Sequence, residues 1–181
     1  MSKQITFLLN FILLMGVQAF VLNDIVVKSA LVIWGIPVFV PMIYPLILLL
    51  LPLNTGVVRT MLIGFALGLV MDMFSNTPGM HAASTVLIAY LRPVLLTLFI
   101  QQQRKDWDDS IPNLFKMGFQ SFLIYTLISL TIHHFFFYFI QIWSLINIHI
   151  VFVKTLLSVL FSTLLIILIQ VVFTRSELRK A

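Results

Sequence analysis

The chain has no cysteine. Disulfides, thiolate nucleophiles and cysteine-ligated metals are therefore excluded. Charge is scarce as well: 9% of the 181 residues are Asp, Glu, Lys or Arg, against 61% hydrophobic. A soluble domain of this size needs far more polar surface, and no polar stretch here is long enough to build one. There is no glycine-rich phosphate loop, so the chain does not power anything itself. Its four histidines show no HExxH or His-x-x-x-His spacing, and no GxSxG turn or paired-aspartate motif accompanies them. The patterns of metal binding and of nucleophilic catalysis are thus missing. We expect no catalytic residues, no metal and no cofactor.

What remains is apolar chain with a mean hydropathy of +1.11. The class is an all-α membrane protein, one integral membrane domain over residues 1–181. The net charge of +5 does not suggest nucleic acid, because the basic residues sit at loop and helix ends. That is the pattern of membrane orientation. At about 20 residues per crossing, six spans fit: residues 5–22, 36–53, 57–74, 80–100, 114–140 and 146–173. The first resembles a signal peptide, with Lys3 ahead of it and Val17-Gln18-Ala19 imitating a cleavage site. Its run from Ile5 to Leu22 is long enough to span, and we read it as a retained helix. The second carries Pro37, Pro41 and Pro45, each of which removes a backbone donor and kinks a helix. It is a bent span or a partly re-entrant one, tolerated only where neighbours satisfy the freed carbonyls.

Lys3, Arg59, Arg104, Lys105, Lys116, Arg175, Arg179 and Lys180 flank spans on the side of the termini. On the other side there is Lys28. The positive-inside rule then places both termini in the cytoplasm. The longest polar stretch, Gln101 to Asn113, reads as a short amphipathic connector, with Trp107 and Ile111 at the interface. A contact with a cytosolic partner is the alternative.

The centre of the sequence is GFALGLVMDMFSNTPGMHAASTVLIAYLRP, from Gly64 to Pro93. Gly64, Gly68 and Asp72 share roughly one helix face. Two small residues let another backbone come close, and a carboxylate continues the stripe. Pro78 and Gly79 occupy the two positions that tight turns favour. Spans three and four are thus an antiparallel hairpin, and the fourth opens on Met80, His81, Ala82, Ala83 and Ser84. Arg92 lies inside it, beside Pro93, and is placed to reach a carbonyl or a headgroup.

In the fifth span Gly118, Ser121, Tyr125, Ser129 and His133 form a small-and-polar stripe. His134 points to another face. Phe135 to Phe139 with Trp143 reads as an interfacial aromatic belt. In the sixth span Lys154, Ser158 and Ser162 repeat every four residues. Asp72 lies ~22 Å from the cytoplasmic face and Lys154 ~12 Å from the outer one, at 1.5 Å per residue. Asp72, His133 and Lys154 are therefore candidates for a polar cluster in the outer half, with Asp72 paired to Lys154. The other reading has Lys154 snorkelling outward and Asp72 capping the hairpin turn. Under the pairing, Asp72→Asn impairs folding or partner binding, and Lys154→Met is at least as harmful.

The hairpin, GFALGLVMDMFSNTPGMHAA with Ala89-Tyr90-Leu91 further on, resembles the MreD family of bacterial rod shape-determining membrane proteins. The proline-bearing second span, the size and the layout agree with it. In the usual family turn one residue separates the proline from the glycine. Here Pro78 and Gly79 are adjacent, which shifts the register entering the fourth helix by one. The resemblance implies a non-enzymatic component of the cell-elongation machinery in the bacterial inner membrane. It implies association with an MreC-like bitopic protein and, through it, with MreB-type filaments and cell-wall synthases. Gly64, Gly68, Asp72, Pro78, Gly79 and His81 are then the candidate partner or helix-packing residues. The family is also similar to the six-span substrate-binding subunits of energy-coupling-factor transporters. That similarity supplies the alternative function, a membrane subunit binding a small vitamin-type solute.

Overall fold

The computed structural model describes residues 12–22, 32–33, 36–37, 40–100 and 111–178. Helix α1, over the described residues, is Ile12–Leu22, a short apolar helix. Its second half, Val17–Leu22, is wound as a π-helix. Two-residue strands β1 (Val32–Ile33) and β2 (Ile36–Pro37) pair antiparallel, with Ile33 opposite Ile36. Then come α2 (Leu46–Leu49), α3 (Val57–Ser75), α4 (Met80–Ile100), α5 (Leu114–Met117), α6 (Phe119–Ile142) and α7 (Ile148–Leu178). Helices α3, α4, α6 and α7 are long and apolar enough to cross a membrane. The chain has the build of a multi-pass membrane protein.

Its exterior is apolar, unlike that of a soluble bundle, and its core mixes apolar with polar side chains. Leu62, Phe65, Leu69 and Met73 of α3, and Leu156, Leu160, Leu164 and Leu168 of α7, lie exposed at three- and four-residue steps. Such faces suit lipid tails. Most of the serines, threonines and histidines of α4, α6 and α7 are turned inward and buried.

The six-helix count departs from the four crossing helices found among the described residues. Residues 5–11 of the expected first span lie outside the described residues, as does the connector from residue 101 to 110. The expected second span is not a crossing helix. Among its described residues it is helical only over Leu46–Leu49. Yet it is the most deeply buried stretch among the described residues: Met42, Ile43, Tyr44, Leu46, Ile47, Leu48, Leu49 and Leu51 are all core residues. One side of it packs with Leu67, Met71, Ile88, Ala89 and Phe137, and the other with Phe122, Leu130, Val159 and Ile166. This broken segment runs lengthwise through the bundle. At one end Val40 meets Tyr138, and at the other Leu49 meets Tyr125. The stretch of α6 between those two tyrosines measures ~20 Å at 1.5 Å per residue. Extended chain rises about twice as far per residue as helix, so a dozen residues with one helical turn cover the distance.

The fifth and sixth spans also differ in detail. Gly118 has φ +77° and separates α5 from α6, so the expected 114–140 helix is broken near its start. Asn113 caps α5, its Oδ1 accepting from the Lys116 amide at 2.9 Å. Helix α7 runs several residues past the expected end.

Candidate functional site

Two polar constructions lie inside the helices, and they meet at His81. The first closes the α3–α4 hairpin. Asn76 ends α3 in the left-handed region, at φ 52°. Met80 N donates to Thr77 O at 3.2 Å across Pro78 and Gly79. Gly79 has φ +79°, which makes this a type II turn with proline and glycine where such a turn needs them. Asp72 reaches over the turn from the last stretch of α3. Its Oδ1 accepts from His81 N at 2.9 Å and from Thr77 Oγ1 at 3.0 Å, and its Oδ2 accepts from Ala82 N at 3.0 Å. It thereby satisfies two of the orphan amides at the start of α4, where the helix dipole favours a negative charge. The expected Asp72–Lys154 pair does not form; the capping alternative does. Asp72→Asn keeps one good acceptor and turns an NH2 toward an amide that needs one. It should cost about 1 to 2 kcal/mol of stability, read as a lower melting temperature in detergent. An unchanged melting temperature would mean the cap contributes nothing.

The glycine face is used inside the chain. A Cβ on Gly68 would stand 2.3 Å from Ala82 Cα, and one on Gly64 would stand 3.1 Å from Thr85 O. Thr85 Oγ1 bridges the contact, donating to Gly64 O at 2.7 Å. Gly64, Gly68 and Asp72 are thus a helix-packing set covered by α4, and a separate partner cannot use this face.

The second construction surrounds the broken segment. Its backbone has lost helical hydrogen bonds, and side chains from four helices replace them. From α1, Gln18 behaves as an extra stretch of backbone: Nε2 donates to Pro41 O at 3.0 Å and Oε1 accepts from Ile43 N at 2.7 Å. The π-helical turn widens the backbone at this residue, as such bulges do. From α7, Ser162 Oγ accepts from Met42 N at 2.8 Å. From α6, the Tyr138 hydroxyl accepts from Val40 N at 3.2 Å and the Tyr125 hydroxyl donates to Leu49 O at 3.4 Å. From α4, the Arg92 guanidinium donates to Leu51 O. Arg92 therefore reaches a carbonyl, and it lies buried at 2% exposure rather than in headgroups. Pro41 and Pro45 need no partner for an N–H, which leaves two fewer donors to satisfy.

The histidines complete the lattice. His134 Nδ1 lies 2.8 Å from Leu130 O, and its Nε2 lies 3.2 Å from Ser162 Oγ. A carbonyl can only accept, so Nδ1 carries the proton and Nε2 accepts from the serine. The chain from Met42 N through Ser162 to His134 and Leu130 then has every direction fixed. The Tyr44 hydroxyl lies 2.9 Å from His81 Nδ1 and 2.8 Å from His133 Nε2. It has one proton for two imidazoles, so one ring must donate to it. His133 Nδ1 is buried without a partner. A buried lone pair is tolerated better than a buried N–H. The proton of His133 therefore belongs on Nε2, directed at Tyr44, and Tyr44 donates to His81.

Of the expected cluster, Asp72 and His133 are joined through His81 and Tyr44, while Lys154 stands apart. Its Nζ donates to Gln141 Oε1 at 3.3 Å and lies 5.1 Å from the centroid of the Tyr138 ring. Lys154→Met should accordingly change stability by no more than ~1 kcal/mol, the scale of a partly exposed cation–π contact. A loss as large as that of a core mutation would show a buried partner. His133 and His134 do face different ways, as expected. The aromatic belt divides: Phe137 and Tyr138 are buried, whereas Phe135, Phe139 and Trp143 form a column with ring centroids 6.2 and 5.9 Å apart. Sequence reasoning missed Tyr44 and Gln18. Each is an isolated polar side chain in an apolar run, and that isolation is the available signal, since such a group must find a partner inside.

No protein-family profile, no curated protein and no solved structure matches the chain.

Proposed function

We propose that this protein is a non-enzymatic membrane component of the bacterial cell-elongation machinery. In this reading it helps maintain rod shape by coupling an MreC-like bitopic protein, and through it MreB-type filaments, to peptidoglycan synthesis. It lies in the inner membrane with both termini in the cytoplasm. The resemblance at the hairpin suggests the reading. The observation that carries it is the use of the polar residues. Asp72, Tyr44, His81, His134, Ser162, Gln18 and Arg92 each bond backbone or one another within the chain. They hold a fold together and leave helices that meet their surroundings through apolar faces, as a packing component does. A solute-binding subunit needs polar groups that converge on an open cavity. Here Asp72 and Lys154, two of the three groups nominated for that role, are separated and individually engaged.

The test is a gentle-detergent pull-down of the tagged protein from its own membranes, with the co-purifying proteins identified. An MreC-like protein and cell-wall synthases are the expected recovery, with loss of rod shape on depletion. Recovery of ATPase subunits with their coupling membrane protein would overturn the proposal in favour of the solute-binding subunit.

A further inference from the structure

The end of the bundle that carries the α3–α4 turn also carries a cation with no counter-ion among the described residues. Lys154 stands in the second turn of α7, and its side chain points back toward the helix N-terminus, as helical side chains do. The ammonium thereby reaches Gln141, in the last turn of α6, at 3.3 Å. It rests over the face of Tyr138, 5.1 Å from the ring centroid. That ring is itself immobilised. Its hydroxyl lies 2.6 Å from Ser158 Oγ and accepts from Val40 N at 3.2 Å. The cation is therefore held on a fixed platform rather than on a freely moving arm. Asp72, the one carboxylate within the four crossing stretches, is fully engaged at the hairpin turn.

The chemistry of the spot is one-sided. An ammonium has three N–H donors, and Gln141 takes one of them. Gln141 turns its oxygen to the lysine, so its NH2 faces away from the ammonium. Gln141 is exposed and Lys154 half-buried, so both can be reached from outside. The site offers positive charge and N–H donors. It lies level with the helix ends, the depth at which a snorkelling lysine meets the polar headgroup layer.

We propose that Lys154 and Gln141 bind a phosphate group at this end of the bundle, Lys154 as the charged anchor and Gln141 as a second donor. The phosphate belongs to a lipid headgroup or to a free phosphate in the water beside it. This goes beyond the proposed function and holds for either reading of it.

The experiment is native mass spectrometry of the purified full chain in detergent supplemented with dioleoyl phosphatidic acid or with dioleoylglycerol, which differ only in the phosphate. The wild type should retain the phosphatidic acid and not the dioleoylglycerol. Lys154→Gln should weaken that retention about tenfold, the scale of one lost hydrogen bond to a charged group. Lys154→Arg, which keeps the charge and stacks on tyrosine, should restore it. If inorganic phosphate displaces the lipid, the ligand is free phosphate; if it does not, the ligand is the lipid. Equal retention of the two lipids by the wild type overturns the proposal, as does equal retention of phosphatidic acid by wild type and Lys154→Gln. Should Lys154→Gln fail to fold, the exposed Gln141→Leu replaces it, with a severalfold loss expected and an unchanged retention overturning the proposal.

Discussion

Gly68→Ala should destabilise this protein more than alanine at any other described helical glycine. The added Cβ would stand 2.3 Å from Ala82 Cα and 2.5 Å from Ala82 N. Those neighbours are backbone atoms, so no side chain can rotate away. Either α3 moves off α4 or the first turn of α4 deforms, and that turn is the one Asp72 caps. Overpacking typically costs 1 to 3 kcal/mol, and this contact belongs at the upper end, at about 3 kcal/mol. Gly64→Ala is the internal control. Its Cβ would meet Thr85 O at 3.1 Å and the tip of Leu48 at 3.3 Å, so a shift of a few tenths of an ångström relieves it. Thermal unfolding followed by tryptophan fluorescence in detergent should give a large fall for Gly68→Ala and a small one for Gly64→Ala. Equal melting of Gly68→Ala and wild type would mean that α3 and α4 do not approach this closely.

The α3–α4 hairpin was legible in the sequence because each of its parts is a local signal. Small residues four apart set the close approach, and Pro78-Gly79 dictates the turn. A lone carboxylate at a helix end has a cap as its natural partner. The broken segment was only half legible. Three prolines showed that 36–53 could not be an ordinary span, but nothing local shows which groups replace the lost hydrogen bonds. Those groups come from α1, α4, α6 and α7, far away in sequence. Their serines and histidines lie on clear stripes, yet a stripe shows a direction and not a partner. The same limit explains the wrong pairing of Asp72 with Lys154. Charge complementarity ranks that pair first, whereas three nearby donors at the turn satisfy the carboxylate at lower cost in chain entropy than an ion pair between α3 and α7.

Tyr44→Phe tests whether the lattice, and not apolar packing alone, holds the broken segment in place. The substitution removes one oxygen and almost no volume. It leaves His81 Nδ1 and His133 Nε2 without their shared partner, and His133 Nδ1 is already unpartnered. An imidazole must carry at least one N–H, so His133 would be left with a fully buried, unsatisfied donor. A single hydrogen bond between membrane helices averages ~0.6 kcal/mol. Two rings orphaned at once, one with no alternative acceptor, should cost about 2 kcal/mol. The double variant Tyr44→Phe, His133→Phe separates the terms. Once the ring that needs the hydroxyl is gone, part of the loss should return, because replacing both partners of a buried hydrogen bond by apolar groups is cheaper than removing one. Strict additivity in that cycle would show that Tyr44 and His133 do not depend on each other. The segment would then be held by Gln18, Ser162 and Arg92, whose bonds go directly to its backbone.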